Sequence, residues 1–368
     1  MERIFSESYR EARAKFQTAA ETLGLDCQSH VLDLKGVDGE ELAVDVVHVG
    51  PGDAPQLMII SSGAHGVEGF AGSAIQNGLM STGWLQSLPE GLAVVLIHAL
   101  NPHGFSWSRR ECEDGSDLTR NITHHLYPAF HNEQYELFHK ILVPDDVSAT
   151  TRESLHREFR QVMQQHNIEN PTPILRIGQY AHADGGTYHG RAASWSTQRW
   201  MQIVRQYAQS AEDVMIVDIH TGFGECGELS VQNPSYPKTS QGYRTLCDWL
   251  GREPYGFSSD GNIIEHRIET FESLHQQCNP GAKVAAMYFE FGTRDPGTYI
   301  DPWVRNNWHF HYGDRSSALA VQARRDFADF CYIRSPVWKQ QVWEKALLQL
   351  SQLRENLYQS SLVSLEKP

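Results

Sequence analysis

The sequence lacks most of the features that would settle a function at a glance. Across its 368 residues no stretch approaches the roughly 18 apolar residues of a membrane-spanning helix. The N-terminal segment MERIFSESYREARAKF is charged and amphipathic, without the apolar h-region of a secretory signal. A cytoplasmic protein with no membrane partner is the expectation. Basic residues are in deficit, 31 against 45 acidic, for a formal net charge of −14. This argues against nucleic acid or an anionic membrane as the main partner, because phosphate surfaces attract an excess of Lys and Arg. The six cysteines (Cys27, Cys112, Cys226, Cys247, Cys278 and Cys331) are scattered and form no CxxC pair. Neither a disulfide framework nor a thiolate zinc site is indicated, and reduced, mostly interior thiols are expected. HExxH, GxSxG and Walker patterns are absent, so zincin, serine hydrolase and P-loop readings have no support. The chain has no repeat of fixed period and no low-complexity tract. The NIT sequon at Asn121 carries little meaning without an export signal.

What is present fits an ordinary globular protein: 40% apolar residues, 21% charged residues and 29 glycines, in a chain long enough to bury a sizeable core. Residues 8–23 have helical apolar spacing, and HVLDLKG and ELAVDVVHVG alternate like paired strands at a sheet edge. The runs QLMIISSG, LAVVLIHALNP, VMIVDIHTG and AAMYFEFGT are apolar on both faces and read as central strands, with a helix over 70–80 after the first. The pattern predicts an α/β fold with a mixed, largely parallel central sheet and helices on both faces, in a single domain over 1–368. A helical insertion is expected around 127–175 and a helical C-terminal region around 317–360.

Each central run carries polar residues at or near its end: His65 and Glu68, then Asn101 and His103, then His220, then Glu290. Open α/β sheets bind ligands beyond the carboxyl ends of their strands, so these ends belong together. His65 and Glu68, three apart in a glycine-rich turn, can share a cation, and His220 supplies a third ligand. His, Glu and His with an open position is the donor set of a catalytic zinc, whose bound water has its pKa lowered to about 7. The alternative for His220 is a buried histidine held by hydrogen bonds. Glu290 stands in an apolar strand, where a carboxylate needs a partner or a function. It reads as the general base, or alternatively as half of a salt bridge with Arg294, and Tyr288 shares its strand face.

The blocks HGVE, NPHG, DLTRN, VDIH and FEFGT, in that order between residues 56 and 295, resemble the zinc carboxypeptidase superfamily, specifically a bacterial branch of metallopeptidase-like proteins of unknown function. The segments GQYAHADGGTYHGRAASWS and HTGFG are similar to that branch too. The resemblance implies one zinc ion per chain on His65, Glu68 and His220, with Glu290 as general base and then acid. It implies that Arg120 binds the substrate's carboxylate and that Arg110, or its neighbour Arg109, stabilises the oxyanion. Asp117 would orient His65, and Asp218 would do the same for His220. Two departures stand out. Thr119 occupies the place of an amide beside the arginine, and Tyr288 excepted, no tyrosine nearer than Tyr255 precedes Glu290.

The reading is a zinc-dependent, carboxypeptidase-like amide hydrolase acting on peptides. The related aspartoacylase and desuccinylase group, which cleaves N-acyl amino acids, gives the alternative, and a catalytically inactive metal- or ligand-binding module gives a second. Homo-oligomerisation is left open. Two further patterns carry less weight. GFGECG (222–227) matches GxGxxG, but no helix is expected after it to receive a pyrophosphate. His309 and His311 would share a face if their segment were extended.

Overall fold

A computed structural model of the chain describes residues 2–123, 129–233, 236–255 and 271–365. Its frame is one seven-stranded sheet: β1 (Cys27–Lys35), β2 (Glu41–Val49), β3 (Gln56–Ser62), β4 (Leu92–His98), β5 (Asp213–Gly222), β6 (Leu229–Gln232) and β7 (Lys283–Gly292), in spatial order β1-β2-β4-β3-β5-β7-β6. The four central strands β4, β3, β5 and β7 run parallel. β1 and β2 extend one side and β6 the other by antiparallel pairing. The fold is therefore the α/β class read from the sequence. β3, β4 and β5 are buried at every position, as continuous apolar runs require when both sheet faces are covered.

The helices are α1 (Tyr9–Thr22), α2 (Gly69–Ser81), α3 (Pro102–Ser106), α4 (Leu118–Asn121), α5 (Glu133–Leu142), α6 (Ala149–Gln165), α7 (Thr172–Ile177), α8 (Trp195–Ala208), α9 (Gln241–Leu250), α10 (Glu272–His275), α11 (Ile300–His311), α12 (Ala318–Cys331) and α13 (Pro336–Leu365). In α13, Trp338, Val342, Ala346, Leu350, Leu353 and Leu357 recur every three or four residues and are buried, the spacing of one helix face. The helical stretch read between 127 and 175 holds α5, α6 and α7, its residues 127 and 128 lying outside the described ones. Phe138, Leu155, Phe159 and Ile174 from these helices join Trp303 and Val304 of α11 in a second, smaller apolar core.

His309 and His311 lie in α11, not in an extended segment, and at about 100° per helical residue a spacing of two turns them to different sides. Of the cysteines, Cys112, Cys278 and Cys331 are buried, Cys27 and Cys247 are half-buried and Cys226 is exposed, all as free thiols. Asn121 of the sequon is buried and donates to the carbonyls of His189 and Ala192 at 2.7 and 2.8 Å, so the fold leaves no room there for a glycan.

The topology fixes where a ligand can sit. β3 pairs with β4 on one side and β5 on the other. The chain runs from β3 through α2 to β4 and returns later to β5, so the crossover direction reverses between β3 and β5. A crevice opens outside the carboxyl ends of strands at such a switch point.

Candidate metal centre

The turn after β3 delivers the first two side chains. Gly63 adopts φ +69°, a conformation that strains any residue with a Cβ. At Gly66 a Cβ would stand 2.1 Å from the backbone of Gly104 and Phe105, so the turn can press against α3 only as glycine. His65 precedes a single 3₁₀ turn, Gly66–Glu68, that leads into α2. Side chains three apart nearly eclipse in that geometry, and His65 Nδ1 lies 3.0 Å from Glu68 Oε1. Glu68 also occupies the N-terminus of α2, where the helix dipole favours negative charge.

β5 and β7 deliver the rest. Their parallel register sets His220 opposite Glu290 and Asp218 opposite Tyr288. His220 Nδ1 stands 2.9 Å from Glu68 Oε2 and 3.2 Å from His65 Nδ1. His65, Glu68 and His220 are all buried, and their ligand atoms lie within 4.8 Å of one another.

The far side of each imidazole meets a carboxylate. His65 Nε2 is 3.3 Å from Asp117 Oδ1, and His220 Nε2 is 2.6 Å from Asp218 Oδ2. A carboxylate accepts, so in a neutral imidazole the proton sits on Nε2 and Nδ1 presents its lone pair inward. Two lone pairs and a carboxylate then face one another away from water, an arrangement that repels unless positive charge lies among them. The proton equilibria say the same. Burial disfavours the charged form of His220, yet Asp218 and Glu68 outweigh it and raise the pKa to about 10. Burial would lift the Glu68 carboxyl, but His65 and His220 hold it well below the usual carboxylate range. The residues present thus fit a divalent transition metal with mixed nitrogen and oxygen ligands.

Around this cluster lies a cavity of about 540 Å³, lined also by Arg110, Thr119, Arg120, Tyr288 and Glu290. Glu290 Oε1 accepts the Phe223 N–H at 3.0 Å. Burial first, then the neighbouring Glu68 charge, raises its pKa to about 7. The salt-bridge alternative does not describe it, since Arg294 donates to the Asp329 carbonyl instead. Tyr288 sets its ring edge-on to His220, centroids 4.9 Å apart. Arg110 holds Asp117 Oδ2 through Nε and Nη2 at 3.2 and 3.1 Å and approaches Glu68 at 3.5 Å. Burial works against its charge, but Asp117 and the other groups around it keep it firmly protonated. Arg109 points elsewhere, to Asn307 and Glu111 and over the Phe310 ring.

Not every residue singled out in the sequence joins the site. Asn101 at the end of β4 caps α3 through the Gly104 N–H, and His103 packs against Trp107 and Phe310. Neither lines the cavity. Tyr255 is 62% exposed and is likewise absent from the cavity wall. Conversely, Arg176 of α7 and Tyr299 at the start of α11 line the cavity and were not anticipated. No motif surrounds either one. The only local sign is the arginine near the end of a short apolar helix followed by Gly178.

These features define an α/β protein with a candidate single-metal centre at the carboxyl ends of its parallel strands. The chain belongs to the family described as protein of unknown function (DUF2817), whose model matches residues 5–345. No curated protein matches it. Among solved structures it is similar to carboxypeptidase A from Helicoverpa armigera, at 12% identity over 88% of this chain and 73% of that one, TM-score 0.47. It is similar to a metallo-carboxypeptidase from Burkholderia cenocepacia, at 12% identity over 89% and 69%, TM-score 0.38. A protein assigned to the succinylglutamate desuccinylase/aspartoacylase group from Shewanella frigidimarina matches at 16% identity over 78% and 72%, TM-score 0.36. The chemistry of the site stands on its own geometry.

Proposed function

We propose that this chain is a zinc-dependent hydrolase of amide bonds, carboxypeptidase-like in its action on peptides. The observation that supports this most is the meeting of the His65, Glu68 and His220 donors with a separately delivered buried carboxyl, Glu290, on the adjacent strand. In this reading those three residues hold one zinc ion, with Asp117 and Asp218 fixing the imidazole orientations. A dication bound there supplies a Lewis acid that polarises a carbonyl and acidifies water. Glu290 takes the proton of the attacking water and returns it to the leaving amine. A carboxyl titrating near 7 can do both. Arg110, locked by Asp117, faces the developing oxyanion. Arg120 receives the substrate's carboxylate, and Tyr288 walls the site beside His220. The Thr119 hydroxyl is engaged with Asp117 at 2.6 Å and accepts from Arg120. It offers no amide to a peptide terminus, which keeps N-acyl amino acids as the second substrate class to test.

The test is elemental analysis of wild type beside His220→Ala, followed by a hydrolysis panel of peptides and N-acyl amino acids on the same samples. About one zinc per chain, lost in the variant together with amide hydrolysis, is the expected result. Metal content independent of His220 overturns the site. Metal without turnover on either class overturns the hydrolase reading in favour of a binding module.

A further inference from the structure

The segment GQYAHADGGTYHG (178–190) supplies no residue to the proposed chemistry, yet it carries His182 and Asp184 up to His139 of α5. One ligand atom from each of these three side chains lies within 4.8 Å of the other two. None of the three lines the cavity around the first centre. The segment is closed on itself by Gln179, whose side chain accepts from the His182 N–H and donates to the His182 carbonyl, both at 2.7 Å. Gly185 lets it press against α5: a Cβ there would collide with the Tyr135 hydroxyl and stand 3.3 Å from His139 Nδ1. On the other side Asn307 of α11 donates to the Asp184 carbonyl at 2.6 Å, and Tyr312 donates to Asp184 Oδ2. The fold thus sets the three side chains in place before any ligand arrives.

Their chemistry suits a cation. The His139 and His182 rings stack face to face, centroids 3.6 Å apart, and His139 Nδ1 is buried with no hydrogen-bond partner among the described residues. Glu136, one turn before His139 on α5, meets His182 Nε2 at 2.9 Å. That contact fixes the His182 ring as a carboxylate behind a metal-bound imidazole does. Neither Glu136 nor Asp184 forms an ion pair with Lys or Arg among the described residues. Two imidazoles and a carboxylate, with a second carboxylate behind them, form a mixed nitrogen and oxygen donor set for a divalent transition metal. Stacked rings hold their lone pairs in parallel planes, so joint ligation needs one ring to turn about its Cβ–Cγ bond, a soft torsion in histidine.

We propose that His139, His182 and Asp184 form a second site for a divalent transition metal, and that a cation there ties the 179–187 loop to α5. Tyr135, Gly186 and Thr187, from the two tied elements, stand in the wall of the first cavity. Metal at the second site therefore braces that wall without touching the reacting atoms. All three ligands are half-buried, whereas those of the first centre are buried, so the second site should fill later as free zinc rises and be empty after purification without added metal. The inference goes beyond the hydrolase reading and does not rest on it.

The experiment is zinc titration of the full-length protein in competition with a chromogenic chelator. Wild type should take up a second, weaker equivalent after the first. His220→Ala should keep the weaker equivalent and lose the tighter one; His182→Ala should do the reverse. Should His182→Ala melt early, Asp184→Asn carries the test, since it keeps an acceptor oxygen for Tyr312 and should weaken the second equivalent by about tenfold or more. Hydrogen exchange tests the tie. With free zinc at about ten times the dissociation constant of the weaker equivalent, amides of 179–187 should exchange about tenfold more slowly, because opening that breaks the site must release the ion. The Asp184→Asn protein should show no such protection at the same zinc concentration. A wild type that binds a single equivalent, or a second equivalent unchanged in folded His182→Ala and Asp184→Asn, overturns the site. Uptake that depends on both residues but leaves exchange in 179–187 unaltered overturns the bracing role.

Discussion

Asp218→Asn is the most discriminating single change at the metal centre. Asp218 is fully buried and has two short contacts: His220 Nε2 at 2.6 Å and the Ser61 hydroxyl at 2.6 Å. Asparagine keeps the shape but has one acceptor oxygen and no charge. The arrangement that satisfies both neighbours turns the amide oxygen to His220 and the amide nitrogen to Ser61, whose hydroxyl can accept. The fold should survive, while the imidazole loses the carboxylate that makes Nδ1 a stronger donor. Changes of this kind lower metal affinity by about 10- to 100-fold, or roughly 1.4–2.7 kcal/mol. Zinc affinity measured by competition with a chromogenic chelator should fall by that factor, with little change in the melting temperature of the metal-free protein. Asp218→Ala should do worse on both counts, because His220 Nε2 would be left buried without its acceptor, at about 1–3 kcal/mol, while the Ser61 hydroxyl keeps only the Val217 carbonyl at 3.5 Å. Zinc affinity in Asp218→Asn within about twofold of wild type, in a protein whose His220→Ala form binds no metal, would refute this account of the Asp218 contact.

Four further outcomes are expected. Glu290→Gln should retain zinc and lose turnover by about 10²–10⁴-fold, and substrate hydrolysis at the native rate would remove Glu290 from the mechanism. Because Glu290 works as a base when ionised, the rate of wild type should fall as pH drops through an acid limb at or below about 7, a bound cation offsetting the Glu68 charge that helps raise it; a limb above pH 8 would contradict this. His98 and His189 are buried, and burial lowers each pKa to about 4. Their folded values lie below the unfolded one, so the stability they contribute is complete above about pH 6.5 and lost as pH falls toward 4, on the order of 3 kcal/mol each at most. Urea titrations across that window should show the loss, with a shallower slope in His98→Gln. Finally, Gly66→Ala should destabilise by about 1–3 kcal/mol, since its Cβ would meet the α3 backbone at 2.1 Å, and should weaken metal binding through the displaced His65; an unchanged melting temperature would show that the turn can yield.

The central sheet was legible because QLMIISS, LAVVLIH and DVMIVDIH are too uniformly apolar to be anything but strands covered on both faces. The grouping of His65, Glu68, His220 and Glu290 was legible for a related reason. Each stands at or near the end of such a strand, and parallel strands end on one side. The same logic misled at β4, whose terminal Asn101 and His103 turn into α3 and its neighbours instead of the crevice. Strand-end position gives an address and not a direction. α8 and α11 went unread, the latter because IDPWVRNNWHFH mixes aromatic and polar residues without a clean apolar stripe. Arg176 and Tyr299 were invisible for a deeper reason. They reach the cavity through helices whose docking depends on tertiary packing around Phe138, Phe159 and Trp303, which no local pattern encodes.

The pairing of His220 with Glu290 across β5 and β7 has a consequence for how this protein can vary. In a strand, consecutive side chains alternate between faces, so one residue added or removed within β7 would send Tyr288 and Glu290 to the opposite side together. Tolerance to length change should therefore be binary along the chain. Inside β5 or β7 a single insertion silences the site outright, whereas between α5 and α6, a stretch that adds no strand to the sheet among the described residues, additions leave the frame in step.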